Sequence, residues 1–376
     1  MDKLKIFECF SGVGSQRMAL RNINVNYESV GISEVDKYAI LAYNAIHEEQ
    51  IDIPIVTKSE MLNYMKSQNI AYNFSTMKNE MPTKDYDIKK LYEATVRSKN
   101  YGDITKINTD NLPDFDFLTY TFPCKNISVA GKQGGLEKNS NTQSSLVWEC
   151  ERIIKNKKPK YLMMENVKNI IGKNHIEDFN DWIKTLELLG YKNYYSLLNG
   201  KDYRVPQNRE RVIMISIRED ILQKFEFPQK QKLKKHVKDL LTNNVSEKYT
   251  LNINQFVSFN KIDANTTDNL RQIGFLDKKG SESNRRIYSI KGICPTLNSM
   301  NGGNREPKFL INNNYIRKLT ALECWRMMGF SDNDFYKAKD VAHLPDSKLY
   351  ERAGRGIIVP MLEDIFKILF EDYIIK

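Results

Sequence analysis

Leu4-Lys5-Ile6-Phe7-Glu8-Cys9-Phe10-Ser11-Gly12-Val13-Gly14 is the stretch that decides the fold. Residues 4–10 form an apolar, β-prone run, and Ser11-Gly12-Val13-Gly14 is a turn. Residues 16–23 have helical character, and residues 27–32 make a second strand ending near Glu34. Small residues in such a turn let the backbone approach a ligand where a strand ends and a helix begins. Glu34, about 20 residues beyond the turn, is placed to accept from ribose hydroxyls. An exposed loop carboxylate satisfies the same pattern, and the pair does not separate NAD from S-adenosylmethionine.

Working outward, strands are expected at residues 115–122, 161–164, 194–198 and 212–217, with helices at 146–155 and 176–189. Strands alternating with helices predict an α/β fold, a doubly wound, mostly parallel sheet covered on both faces. Residues 51–101 interrupt the rhythm with a polar, Lys- and Asn-rich insertion, expected to be a surface excursion. From Lys224 the style changes: six lysines up to Lys238 face only Glu226, and short mixed elements run to Asn314. That stretch predicts a smaller, irregular domain. The expected division is 1–219, 220–315 and a return to the first domain over 316–376, ending in an amphipathic helix from Met361.

The chain has 376 residues, 41% of them hydrophobic, and a net charge of +10, so it carries a real core and suits a polyanionic partner. Solubility alone explains such a charge equally well. No apolar run approaches the ~20 residues of a spanning helix, and MDKLKIFECF lacks a signal-peptide layout, so a cytoplasmic chain is expected. Cys9, Cys124, Cys150, Cys294 and Cys324 form no CxxC pair, and four His supply no metal cluster. Free thiols and no metal site follow.

Phe122-Pro123-Cys124 comes just past a strand, where open α/β sheets place their active sites. A thiolate there suits attack on an electron-poor ring carbon, because sulfur is both nucleophile and leaving group. Glu165-Asn166-Val167 ends the next strand; a partly desolvated Glu can share a proton with a ring nitrogen, though an N-cap or ion pair is the plainer reading. In Gln207-Asn208-Arg209-Glu210-Arg211 the alternating arginines project to one side of an extended segment, as clamps on phosphate or carbonyl groups or as a solvated cluster. Gly102-Asp103-Ile104 precedes a strand and is placed to receive an adenine amine.

In order along the chain, Phe10–Gly14, Glu34, Gly102–Ile104, Pro123-Cys124, Glu165–Val167, Gln207–Arg211, Arg317–Cys324 and 354–362 resemble the motifs of the DNA cytosine-5 methyltransferase family. Nearly the whole chain takes part, apart from the insertion. The resemblance implies a Rossmann-like fold binding S-adenosylmethionine through Phe10, Gly12, Gly14, Glu34, Asp103, Ile104, Pro123, Lys125, Gly354, Arg355 and Gly356. It implies Cys124 as the nucleophile on cytosine C6, Glu165 at N3, and Arg209 and Arg211 holding Cys124, the base carbonyl or a phosphate. The target base must leave the duplex, and residues 126–140 would close over it. Residues 220–315 match the position of a target-recognition domain, with Ser128, Arg286, Thr296, Gly302 and Gly303 at double-stranded DNA. A monomer, with a cognate restriction endonuclease as a partner, fits a bacterial or phage modification enzyme.

Two positions depart from the family. Pro-Cys-Gln is Pro123-Cys124-Lys125 here, and Gly-Asn-Ser is Gly354-Arg355-Gly356. A cation near the sulfonium is repelled, by about 3 kcal/mol at ~5 Å and an effective dielectric of ~20. A carboxylate on the transferred carbon would reverse that sign, since Arg355 can grip it with a paired hydrogen bond. Carboxy-S-adenosylmethionine and 5-carboxymethylcytosine are therefore an alternative to methyl transfer, unless Arg355 and Lys125 turn to phosphates or acidic neighbours. An RNA cytosine methyltransferase, a catalytically idle DNA-binding relative and a nicotinamide-dependent oxidoreductase also stay open.

Overall fold

Of the six residues of β1 (Leu4–Cys9), only Lys5 is exposed. A strand buried on both faces belongs inside a sheet flanked by helices. The computed structural model, which describes residues 2–73, 76, 78–124, 127, 136, 138, 142–259, 267–300, 302–312 and 314–375, places β1 there. Its neighbours, both parallel, are β2 (Tyr27–Ser33) and β5 (Phe117–Tyr120). The chain forms two compact units: Met1–Leu198 with Arg211–Pro228 and Ile365–Lys376, and Asn199–Glu210 with Gln229–Asp364.

In the first unit, α1 (Ser15–Asn22) follows β1 and α2 (Lys37–His47) follows β2. The insertion supplies α3 (Lys58–Ser67), a small hairpin of β3 (Tyr72–Asn73) and β4 (Lys78–Asn79), and α4 (Asp85–Arg97). After β5 come α5 (Val147–Lys157), β6 (Tyr161–Val167), α6 (Ile176–Leu188), β7 (Tyr191–Asn199) and β8 (Glu210–Arg218). Strand order is β2-β1-β5-β6-β8-β7. Phe7, Leu118, Leu162 and Met214 pack with Ile153 and Trp182 in the main core. Phe117 meets Phe366 and Phe370, whose ring centroids lie 5.5 and 4.9 Å away.

The sheet is not parallel throughout. β8 runs antiparallel to β6, with Glu165 opposite Ile213 and Val167 opposite Arg211. Side chains alternate along a strand, so Glu165 and Arg211 share one face as diagonal neighbours, within reach of long side chains.

The insertion is more than the surface excursion its polarity suggested. Met65, Ile70, Ala71, Ile88, Leu91 and Ala94 bury a small core against Ile40 of α2. A few apolar residues at helical spacing are enough to seat α3 and α4, while lysines and asparagines keep the outer faces wet.

The second unit holds β9 (Thr250–Leu251), β10 (Phe256–Ser258), β11 (Gln272–Leu276), β12 (Arg286–Ser289), β13 (Lys308–Ile311) and β14 (Tyr315–Lys318), in the order β10-β11-β12-β13-β14-β9. Its helices are α7 (Glu282–Arg285), α8 (Ala321–Arg326), α9 (Asp332–Tyr336) and α10 (Asp346–Arg355); α11 (Val359–Leu369) leads back to the first unit. The compact units therefore divide the chain later than the expected 315/316 boundary. β14 pairs with β13 and β9, so residues 316–364 stay with the second sheet. Arg317 makes a two-pronged pair with Glu323 at 2.8 and 2.7 Å, both fully buried. That pair explains the spacing of the Arg317–Cys324 motif as a structural one.

Candidate active site

The carboxyl ends of β1, β5 and β6 lie side by side, since Cys9 pairs with Tyr120 and Tyr120 with Met164. Everything that follows these ends shares one edge of the sheet, where α/β enzymes bind ligands. At β1 the chain turns through Phe10 (φ 56°), Gly12 (φ 56°) and Gly14 (φ 74°). A Cβ at Gly14 would fall 2.4 Å from His47 Nε2 and 2.8 Å from the Tyr43 ring, so glycine lets α1 approach α2. A Cβ at Gly12 would meet nothing within 4 Å, which leaves open space over that part of the turn. Gly14 caps α1 without a side-chain bond.

Glu34 ties this turn to the end of β2. Its carboxylate accepts from the backbone N–H of Gly12 at 3.0 Å, Val35 at 2.8 Å and Asp36 at 2.9 Å. Asp103 is buried; Oδ1 accepts from the N–H and hydroxyl of Thr105, and Oδ2 from Asn69 Nδ2 at 2.7 Å. Ile104 beside it is buried. Open space over a glycine turn, flanked by Glu34 at the end of β2 and Asp103 in the Gly102-Asp103-Ile104 turn, fits the ribose and amine of an adenosyl cofactor.

Cys124 stands four residues beyond β5. Of the five free cysteines, Cys9, Cys150, Cys294 and Cys324 are buried, whereas Cys124 is partly exposed. Burial pushes the Cys150, Cys294 and Cys324 thiols up, away from the thiolate form. The backbone around Cys124 is held at successive carbonyls. Asn166 Nδ2 donates to Phe122 O at 3.3 Å, the Ser144 hydroxyl to Pro123 O at 2.8 Å, and Ile127 N–H to Cys124 O at 3.0 Å. Asn169 Nδ2 in turn donates to Ile127 O at 2.6 Å. Asn166, Ser144 and Asn169 were missed as site residues. Asn166 was legible as the neighbour of Glu165; Ser144 and Asn169 carry no signal without the fold.

Glu165 Oε1 and Arg211 Nε are 3.0 Å apart, with side chains 12% and 13% exposed. Partial burial makes such a pair stronger than a surface one. Arg209 is different. Its buried guanidinium donates to the carbonyls of Leu297 at 2.8 Å and of Gly354 and Gly356 at 2.9 Å each. A fork of fixed donors suits three converging carbonyls, so Arg209 ties together segments of the second unit. Gly354 is a glycine because a Cβ there would lie 1.9 Å from Asn298 O.

Arg355, next along, pairs with Glu351 at 2.5 Å, and Lys348 and Arg352 pair with the same buried carboxylate at 3.0 and 3.2 Å. Arg286 is bonded to Glu282 through two nitrogens, at 2.9 and 2.6 Å. Thr296 is exposed and its hydroxyl donates to Asn208 O. Gly302 and Gly303 take left-handed backbone, φ 76° and 69°, on an exposed turn. Behind that turn the buried Lys308 Nζ donates to Asn304 O at 2.6 Å and Glu306 O at 2.9 Å. Lys125, Ser128 and most of 126–140 lie outside the described residues. Among the described residues no group of three His, Cys, Asp or Glu is placed to hold a metal, and no helix is long and apolar enough to cross a membrane.

A glycine turn, the carboxylates Glu34 and Asp103, and a partly exposed thiol past β5 are the arrangement of an α/β enzyme with its site at one sheet edge. The model of the C-5 cytosine-specific DNA methylase family matches residues 75–371, and the chain belongs to that family. It is 44% identical to the type II methyltransferase M2.ScrFI of Lactococcus lactis subsp. cremoris, over 98% of this chain and 99% of that one. It is 33% identical to the orphan methyltransferase M.SssI of Spiroplasma monobiae, over 96% of each. The crystal structure of the S. pombe Dnmt2 methyltransferase shares the fold, with a TM-score of 0.62 at 15% identity over 98% of this chain and 99% of that one. The family's chemistry is methyl transfer to cytosine C5, with S-adenosylmethionine as the donor.

Proposed function

We propose that the chain methylates a cytosine rotated out of duplex DNA, through a covalent bond between Cys124 Sγ and C6 of the base. The observation that carries this is the position of Cys124: the one cysteine of five that is not buried, past β5 and beside the strand that bears Glu165. The Cys124 thiolate adds to C6 and the ring's electron pair moves toward C5 and N3. Glu165, oriented by Arg211, carries a proton in this step and donates it in a hydrogen bond to N3, which stabilises that density. C5 takes the methyl group that the sulfonium cofactor supplies. Loss of the C5 proton to water then restores the double bond and expels the Cys124 thiolate. Gly12 gives the cofactor room while Gly14 lets α1 seat on α2 beneath it, Glu34 takes the ribose, and Asp103 takes the adenine amine. Phe10, Ile104 and Pro123 line the same edge.

In the second unit, Thr296 and the Gly302-Gly303 turn, braced by Lys308, serve DNA recognition. Arg209 sets the path of the Leu297 and Gly354–356 segments through the three carbonyls it holds. The carboxymethyl alternative gains no support from Arg355. Arg355 turns to an acidic neighbour, Glu351, which it shares with Lys348 and Arg352, and methyl transfer is the family's chemistry, so 5-methylcytosine is the expected product. The test uses duplex DNA carrying 5-fluorocytosine, which cannot lose a proton from C5. With S-adenosylmethionine the chain should form a denaturant-stable complex, and Cys124→Ala should form none. Methylation by Cys124→Ala would sink the reading. Nucleoside mass spectrometry with both cofactors supplied should show 5-methylcytosine; 5-carboxymethylcytosine as the main product would reinstate the alternative.

A further inference from the structure

The insertion reaches the cofactor edge through one turn, Gln68-Asn69-Ile70-Ala71, between α3 and β3. Asn69 and Ala71 both take left-handed backbone, φ 54° and 62°. Asparagine tolerates that region better than most residues, and alanine poorly, so the turn is held there by its surroundings. Those surroundings are the two carboxylate-bearing segments, the end of β2 with Glu34 and the Gly102-Asp103-Ile104 turn with Asp103. Ala71 N–H donates to Val35 O at 2.9 Å, next to Glu34, and Asp103 N–H donates to Gln68 O at 2.8 Å. Gly102 takes φ 69°, and a Cβ there would lie 2.2 Å from Gln68 O, so the glycine of the Gly-Asp-Ile motif makes room for the turn.

The side chain of Asn69 is oriented from both ends. Lys106 Nζ donates to Asn69 Oδ1 at 3.0 Å, and Asn69 Nδ2 donates to Asp103 Oδ2 at 2.7 Å. The cation on one side and the carboxylate on the other fix which way the amide faces. On Asp103, Oδ1 is occupied by the Thr105 N–H at 3.0 Å and the Thr105 hydroxyl at 2.9 Å. Each carboxylate oxygen offers two lone-pair directions. Asn69 takes one of those on Oδ2.

We propose that Asn69 is a positioning residue for the adenine end of S-adenosylmethionine, holding the Asp103 carboxylate so that one lone pair on Oδ2 accepts the adenine 6-amino group. The insertion is thereby part of the cofactor site, and it sets selectivity for a 6-aminopurine. Asp103 is nearly inaccessible to water, so a purine that offers no N–H there leaves an acceptor unsatisfied, and such sites reject the wrong ligand strongly. Without Asn69 the carboxylate can rotate about its own side-chain bond and the aim of Oδ2 is lost.

The inference rests on the cofactor reading given above, and the test separates the two. Calorimetry measures binding of S-adenosylhomocysteine, and of its analogue with hydrogen in place of the 6-amino group, to the full chain and to Asn69→Gly, Asn69→Asp and Asp103→Asn. Glycine keeps the left-handed backbone and deletes only the amide. The unaltered chain should prefer the adenine compound by about tenfold or more, the value of one hydrogen bond to a charged acceptor. Asn69→Gly should bring the ratio to within roughly threefold of unity, and Asn69→Asp, which sets a like charge beside Asp103, should weaken the adenine compound further. If Asn69→Gly lowers only the melting temperature and keeps the full ratio, Asn69 is a structural residue and the inference fails. If the unaltered chain does not distinguish the two compounds, or Asp103→Asn leaves the ratio unchanged, the cofactor reading fails and the inference with it.

Discussion

Gly12 and Gly14 sit two residues apart in the same turn, and replacing them should have different consequences. Gly14→Ala drives a methyl group into His47 and Tyr43 and strains φ 74°, so the cost falls on packing. Unfolding should be easier by about 1–3 kcal/mol, the usual range for overpacking. Gly12→Ala meets nothing and carries only the left-handed strain, about 1 kcal/mol. Its methyl group fills the open space over the turn, so it should weaken S-adenosylhomocysteine binding by more than it lowers stability. Melting curves with and without that ligand separate the two. A Gly12→Ala chain that binds normally would move the cofactor away from this turn. The placement of the candidate residues was largely legible: a cysteine past a strand, a glutamate on the next strand and a glycine turn need no coordinates. Arg209 was not. Two arginines at alternate positions read alike in sequence, but Arg211 meets a carboxylate while Arg209 meets the carbonyls of residues 297, 354 and 356, up to 147 positions away.

Elements decide where such residues meet. The expected mostly parallel sheet holds for β2, β1, β5 and β6, but β8 reverses, and that reversal puts Arg211 diagonal to Glu165. Strand direction is invisible in a run such as residues 212–217, because a nearly continuous apolar run reads the same both ways. Beneath the turn, β1, α1 and α2 enclose Glu8, which burial pushes up to about 7 from the ordinary 4.5. The hydrogen bond from Tyr43 and the attraction of Arg17 oppose the shift and Glu48 adds to it. Tyr43 donates to Glu8, and Arg17 bonds both Tyr43 and Glu48. A carboxyl whose folded value is raised binds its proton more tightly folded than unfolded. Its contribution to stability is therefore full below about 4.5 and is lost as pH rises through about 7. Glu8→Gln keeps an acceptor for Tyr43 and cannot ionise. Relative to the unaltered chain it should gain about 3 kcal/mol between pH 4.5 and 8 in urea unfolding. A difference that stays flat across that window would show that Glu8 titrates alike in both states.

At the scale of the molecule, 57 basic and 47 acidic residues leave +10, and lysines crowd the start of the second unit's long segment. Neutralising phosphates releases counterions, so the logarithm of the affinity for DNA falls linearly with the logarithm of salt, by about 0.9 per phosphate on a duplex. Fluorescence anisotropy with a duplex should give a slope of at least about −4, and changing Lys234 and Lys235 together to Gln should make it shallower by up to about 2. An unchanged slope would take those lysines out of the DNA interface. Domain limits were the least legible feature. Residue 316 reads as the start of a return to the first domain, yet β14 adds to the second sheet and carries residues up to 364 with it. The insertion was misjudged for a related reason: composition reports the wet outer faces of α3 and α4, and says nothing of a turn that bonds to residues 35 and 103.

Arg209 bears on how this chain can be re-engineered. Its guanidinium clasps Leu297, in the segment proposed for DNA recognition, and Gly354 and Gly356, near the chain's last motif, while Gly354 lies against Asn298 with no space for a methyl group. A chimaera that imports a foreign recognition segment must therefore keep the native backbone of residues 297–298, or import the partner glycines along with it. With the imported segment ending at or before residue 295 the clasp stays whole, whereas a junction between residues 299 and 307 would replace the backbone that Arg209 and Gly354 meet.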